Sequence, residues 1–327
     1  MSSKTQNSQN STNVCLVIIF NHRYEANLEK LDFIYKDRFP NVRYLMPFYD
    51  GPRKDVIGVF EDSILFEGHI AQACSSFIDS QFTHYVFAAD DLILNPTINA
   101  SNIIDSLCLE PGAAYIKNLT TLSDVYLWWI QVQRIFESFR FTRFNYRSQL
   151  PPAEEAEKRL KHHGLEPGYL TFNNLRHWDG NFRITDFCGY RNFARKAIHY
   201  RKPRPLPYPM AAGYSDFFIV PANIISEFCR LCGVFAAMNL WVEVAIPTAL
   251  VLCCNSIKTE FVIGENWVTG SHYSKPGCWK GTELWEWTEA TVQSIETNND
   301  LYLNQLNNSF GDKELYIHPI KLSKWRM

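Results

Sequence analysis

The chain lacks an excess of charge of either sign. It carries 32 Lys and Arg against 34 Asp and Glu, a formal net charge of −2 over 327 residues. That excludes the strongly basic footprint of a general nucleic-acid binder. A glycine-rich phosphate loop is also missing: neither GxGxxG nor GxxxxGK followed by Ser or Thr occurs. The most apolar later stretch, Leu231 to Cys254, is broken by Glu243 and Pro247, and a membrane span does not readily hold a carboxylate at its midpoint. The opening residues, MSSKTQNSQNSTN, have no apolar segment of the kind a secretory signal needs. Residues 1–12 read as a disordered tail, and the chain as cytoplasmic, with no transmembrane segment. The nine cysteines are scattered, odd in number and mostly set in apolar runs. This fits reduced, buried thiols better than a disulfide framework. Cys229 and Cys232 form a CxxC without a second pair at zinc spacing, so core packing is the expected role.

Large side chains are plentiful. Apolar residues make up 46% of the chain and aromatics 15%, enough for a sizeable core. Aromatic side chains fill cores, and they also bind flat or ring-shaped ligands such as sugars and bases.

Periodicity organises the first hundred residues. Val14–Phe20 is a short β-branched run, expected as a strand buried on both faces. Glu25–Asp37 has helical spacing, with Leu28, Leu31, Ile34 and Tyr35 on one face. Strands are predicted at Val42–Phe48, near Val56–Phe60 and at Tyr85–Ala89, with a helix at Phe66–Ile78. The alternation predicts an open α/β sheet, whose ligands bind beyond the carboxyl ends of its strands. Asn21, Asp50 and Asp90-Asp91 all fall at such ends. Further along, helices are expected at Tyr126–Phe141, Glu154–His163, Ile224–Val234 and Trp241–Leu252. Tyr214–Val220 reads as a strand, and Pro247 is expected in a helical first turn, where it costs nothing. Residues 183–204 are basic, either a solvated face or a clamp on an anion. No repeat or composition break marks a second domain.

Chemistry concentrates at HYVFAADDLILNP, residues 84–96. An apolar strand delivers two adjacent carboxylates into a turn, and buried carboxylates need compensation. A divalent cation, Mn²⁺ or Mg²⁺, supplies it and can share a diphosphate. The alternative is an Asp pair that caps a strand end.

The succession VCLVIIFN, VRYLMPFYDG, YVFAADDLIL resembles the nucleotide-sugar-dependent glycosyltransferases of GT-A fold. The likeness covers residues 14–96 and extends over 210–255. It implies one Rossmann-like domain over 13–327, a mixed, mainly parallel central sheet flanked by helices. Residues 13–100 would form the nucleotide-binding half and 101–327 the acceptor-binding half. It also implies transfer of a hexosyl or deoxyhexosyl group to a glycan or other hydroxyl acceptor, metal-dependent and inverting. With Ala89 at the first position of the family's DxD motif, Asp91 takes the place of the metal ligand and Asp90 faces the donor sugar or ribose. Phe20, Asn21 and Asp50 would contact the nucleotide. Glu243, at the start of a helix beyond a Gly-containing loop, matches the family's catalytic base, with Asp216 as its rival or as a ligand of the acceptor hydroxyl. His318 resembles the C-terminal histidine that completes the metal site, a role for which His272 competes, and Lys321 would neutralise the departing phosphate. Three other readings stay open: a non-catalytic carbohydrate-binding or interaction protein, a nucleotidyltransferase-like α/β enzyme, and a metal-independent hydrolase using two carboxylates.

Overall fold

The computed structural model describes residues 13–124, 127–139, 144–171, 175–177, 198, 201–259, 302–308, 310 and 315–327. The expected tail at 1–12, His272, Cys188, Cys278 and most of the basic segment lie outside them. Of that segment, Arg201 and Lys202 are exposed, and Arg204 lies in a two-residue strand paired with Tyr169–Leu170.

The described fold is α/β, built on a seven-stranded, mainly parallel sheet. Its strands are β1 (Val14–Ile19), β2 (Val42–Pro47), β3 (Val56–Val59), β4 (His84–Ala89), β6 (Ala114–Ile116), β7 (Phe217–Pro221) and β8 (Ile257–Lys258). They run in the order β8-β6-β7-β4-β1-β2-β3. All neighbours are parallel except β7, which is antiparallel to both β4 and β6. Two further strands, β5 (Ile93–Leu94) and β9 (Tyr316–Ile317), form a small antiparallel pair of their own.

The central strands obey the rule that a parallel strand covered on both faces needs no alternation: every residue of β1 and of β4 is buried. Helix α1 (Leu28–Tyr35) follows a 3₁₀ turn at Glu25–Asn27 and buries Leu28, Leu31, Ile34 and Tyr35, the expected face. Helix α2 (Phe66–Phe77) packs on α5 (Ile225–Ala237), and α5 packs on α6 (Val242–Cys253). Between α2 and α5 come α3 (Trp129–Glu137) and α4 (Ala153–His162), close to their expected positions. Cys229 and Cys232 are free thiols buried in α5, in keeping with a packing role. One apolar cluster runs from Val14 in β1 to Trp325 near the end of the chain.

Two local expectations need correction. The strand begins at Phe217, not Tyr214, because Tyr214 and Ser215 spend hydrogen bonds outside the sheet. Tyr214 N–H donates to the Asn118 side chain, and Ser215 Oγ donates to the Gly213 carbonyl. Pro247 is the sixth residue of α6, inside the helix rather than in its first turn. A proline there leaves the carbonyl four residues back without its helical donor. That carbonyl belongs to Glu243, and it accepts the Gly213 N–H at 3.0 Å. The hydrogen-bond acceptor that Pro247 frees within the helix thus anchors the loop that leads into β7. A side chain at 213 would collide with that arrangement, since a Cβ there would meet the Asn118 carbonyl oxygen at 2.3 Å.

Candidate active site

The site forms at the carboxyl edge of β4, where three remote segments converge. Strand β4 ends at Ala89 and delivers Asp90 and Asp91. Strand β7 runs antiparallel beside it, so Asp216, the residue before its first, lies level with that end, and the Asp216 carbonyl accepts the Ala89 N–H at 2.9 Å. The C-terminal segment then returns. Strand β9 pairs with β5, and Ile320 N–H donates to the Asp91 carbonyl at 2.7 Å. Between these two contacts sits His318.

The side chains meet as the backbone requires. Nε2 of His318 is 3.3 Å from Asp91 Oδ1 and 3.8 Å from Asp216 Oδ2. On the other side of the ring, Nδ1 lies 2.8 Å from the Tyr214 hydroxyl. The buried Lys117 places its ammonium 4.6 Å from the centre of the Tyr214 ring and 5.7 Å from that of Tyr316.

Burial and mutual charge set the proton affinities. Burial pushes the Asp90 carboxyl up to about 7, and the neighbouring Asp91 charge adds to this. Opposing them, Asn21 donates its backbone N–H (3.1 Å) and its side-chain amide (3.4 Å) to Asp90 Oδ1. Burial also raises Asp216, with Asp91 adding to it, while His318, Tyr214 and Lys117 pull it back. For His318 burial disfavours the charged ring, but Asp91 and Asp216 outweigh it and hold the imidazole above its usual range.

Asp91 Oδ1 is buried without a hydrogen bond although it stands 3.3 Å from an imidazole nitrogen. A divalent cation fits this pair. Carboxylate oxygen and imidazole nitrogen are both suitable donors for Mn²⁺, and adjacent ligands at roughly 2.1 Å from a cation sit about 3 Å apart. Among the described residues no group of three or more His, Cys, Asp or Glu is arranged to hold a metal ion. Among the described residues Asp91 and His318 are the two side chains placed to share a cation. Small hard cations are commonly held by one or two side chains plus substrate phosphates and water.

The other expected residues divide into two groups. Asn21 stands against Asp90, within the cluster's edge. Asp50 lies at the end of β2, 80% exposed, in an ion pair with Arg23 at 2.7 Å. Glu243 lies in the first turn of α6, joined to the Gly213 loop through its carbonyl, and Lys321 is exposed and directly follows Ile320, whose N–H bonds the Asp91 carbonyl. Phe20 is different. Its ring is fully buried, edge-on to Tyr44 at 6.2 Å, so its side chain belongs to the core and only its backbone faces the edge. Lys117, Asn118 and Tyr214 were not among the expected residues. The signal for the first two was present: AYIKN is an apolar strand followed by a polar pair, the same signature as FAADD.

No family model matches the chain, and no curated protein does. Among solved structures it is similar to the mannosyltransferase Ktr4p from S. cerevisiae, at 10% identity over 82% of this chain and 73% of that one, with a TM-score of 0.34. It is also similar to core-mannan synthase A from Aspergillus fumigatus in its Mn/GDP form, at 12% identity over 80% and 74%, TM-score 0.31. A third is mouse xyloside xylosyltransferase 1 in its apo form, at 9% identity over 86% and 92%, TM-score 0.31. Scores and identities this low carry neither fold nor activity across. Among the described residues no helix is long and apolar enough to cross a membrane.

Proposed function

We propose that this protein is a GT-A-type glycosyltransferase that transfers a hexosyl or deoxyhexosyl group from a nucleotide-sugar donor to a hydroxyl of a glycan or glycoconjugate. The observation that carries the reading is the buried, unbonded Asp91 oxygen facing His318 at the carboxyl edge of β4. Asp91 and His318 would hold Mn²⁺ or Mg²⁺, which when bound neutralises the charge that develops on the diphosphate as it leaves. Asn21 keeps Asp90 in place at the edge, where Asp90 faces the donor. Asp50, exposed beyond β2, is available to the base or ribose, since exposed ion pairs such as its bond to Arg23 are weak. Lys321 takes the rim position for the departing phosphate.

In this reading Glu243 removes the proton from the attacking hydroxyl, which favours inversion at the sugar carbon. Glu243→Gln keeps the size of the side chain and loses the base. Transfer should fall by about 10²-fold or more, while the affinity for nucleoside diphosphate stays within twofold by calorimetry. Full turnover in that variant would assign the proton to another group.

The reading as a whole is tested by thermal shift. A ligand that binds only the folded chain stabilises it by mass action, about 2.7 kcal/mol at a hundredfold excess over Kd. A nucleoside diphosphate should raise Tm by several degrees with Mn²⁺ present and by much less without it. Asp91→Ala should remove the metal-dependent part. A response to free sugars alone would instead mark a carbohydrate-binding protein.

A further inference from the structure

We infer that helix α1 is a clamp on the candidate site, with Lys30 and Tyr35 as positioning residues that fix the two segments on which Asp91 and His318 meet. The consequence for cation binding rests on the proposed function; the clamp itself follows from where the hydrogen bonds go. The two segments pair through β5 and β9, two residues each, and even a full two-stranded hairpin is marginally stable on its own in water. Other contacts must hold the pair together, and α1 supplies them on both sides.

On the Asp91 side, the Tyr35 hydroxyl donates to the Leu92 carbonyl at 3.1 Å and accepts the Leu94 N–H at 3.0 Å. One phenol thus brackets Ile93 as a neighbouring strand would, using both its proton and its oxygen. Tyr35 is fully buried. A phenylalanine would fill the same space, so the hydroxyl serves the backbone beside Asp91. Arg38, just past the end of α1, extends the contact. Its Nη1 donates to the carbonyls of Asn95 at 2.6 Å and Ile98 at 3.1 Å, and its Nε donates to the Ile34 carbonyl of α1 at 3.0 Å. On the His318 side, Lys30 Nζ donates to the Leu322 carbonyl at 2.7 Å. That carbonyl lies two residues past Ile320, whose N–H bonds the Asp91 carbonyl at 2.7 Å. The stretch 318–322 is therefore pinned once at Asp91 and again at α1. Lys30 and Tyr35 stand about 140° apart around the helix axis, so a single helix reaches both segments. Segments held in place beforehand spare an arriving ion the cost of ordering them.

The test compares the full chain with Lys30→Met, Lys30→Arg and Tyr35→Phe. Lys30→Met keeps an unbranched stem and removes the ammonium; Lys30→Arg restores a donor. Lys30 is only half-buried, so its variants should fold even where Tyr35→Phe does not. The first readout is amide hydrogen exchange without metal, which reports local opening. In Lys30→Met and Tyr35→Phe, exchange over 315–322 should quicken about tenfold or more, while β1 and β4 exchange as in the wild type. Lys30→Arg should return close to the wild-type rate. The second readout is Mn²⁺ affinity in the presence of a nucleoside diphosphate, by calorimetry. It should fall about tenfold in Lys30→Met and Tyr35→Phe, the lower end of what loss of an outer-shell partner costs, and recover in Lys30→Arg. Unchanged exchange over 315–322 overturns the clamp, and so does exchange that quickens equally across the whole chain. Faster exchange over 315–322 with undiminished Mn²⁺ affinity overturns its role in cation binding. In a wild type that binds no Mn²⁺ the proposed function fails, and the exchange comparison alone decides the clamp.

Discussion

Replacing His318 by alanine should reduce sugar transfer by about 10²- to 10³-fold, the order expected when one of the groups that stabilise developing charge is removed. Asp91→Ala should cost at least as much. In the proposed reading each removes a ligand of the same cation, so the losses should not multiply. The double variant should be about as inactive as the weaker single one, because residues that act as a unit are strongly non-additive. The measurement is the initial rate of nucleoside diphosphate release from the donor that the thermal-shift screen selects. Thermal melts of each variant serve as the control for folding. Losses that multiply in the double variant would mean that the two residues act at separate points.

The second large effect concerns stability and has the opposite sign. The Asp90 carboxyl is held up to about 7 by burial and by the Asp91 charge, against about 3.9 in an unfolded chain. Between those values the folded protein binds a proton that the unfolded chain has lost, so stability falls as pH rises. The full penalty is present above pH 7. At 1.36 kcal/mol per unit it amounts to at most about 4 kcal/mol. Asp90→Asn removes the charge and keeps an oxygen to accept the Asn21 N–H. Its Tm should match the wild type near pH 4 and exceed it by several degrees at pH 8. A difference that does not vary with pH would contradict the origin assigned to the shift. A bound divalent cation should shrink the gap, because its charge favours the ionised carboxyl beside it.

The sheet was legible where one physical rule dominated. Continuous burial of Val14–Ile19 and His84–Ala89 follows from their apolar runs, and the inner face of α1 follows from Leu28, Leu31, Ile34 and Tyr35. The carboxylates at 90–91 were legible because a strand end is where an apolar run must meet water. The approach of His318 to Asp91 was implied by family resemblance rather than by pattern. The contact depends on pairing two-residue strands, Ile93–Leu94 with Tyr316–Ile317, and two residues have no periodicity to read. Tyr214 was hidden for a related reason. It stands just before the apolar run FFIV, separated from it by Ser215 and Asp216, and its N–H goes to the Asn118 side chain rather than to a neighbouring strand. Pro247 looked harmless in a first turn. Its position one turn deeper leaves the Glu243 carbonyl to a distant N–H, and only the tertiary structure identifies that donor as Gly213. Phe20 was expected beside the nucleotide, but its ring, just past the end of β1, is buried in the core against Tyr44.

The central claim is that Asp91 and His318 grip one cation together with a diphosphate. The most direct test follows free Mn²⁺ by electron paramagnetic resonance while the full chain is titrated with and without a nucleoside diphosphate. The signal of free Mn²⁺ should fall markedly only when protein and diphosphate are both present, and His318→Ala and Asp91→Ala should each weaken that uptake by more than tenfold. A wild-type chain that leaves the Mn²⁺ signal at the level of diphosphate alone, or variants that take up the ion as well as the wild type, would contradict it.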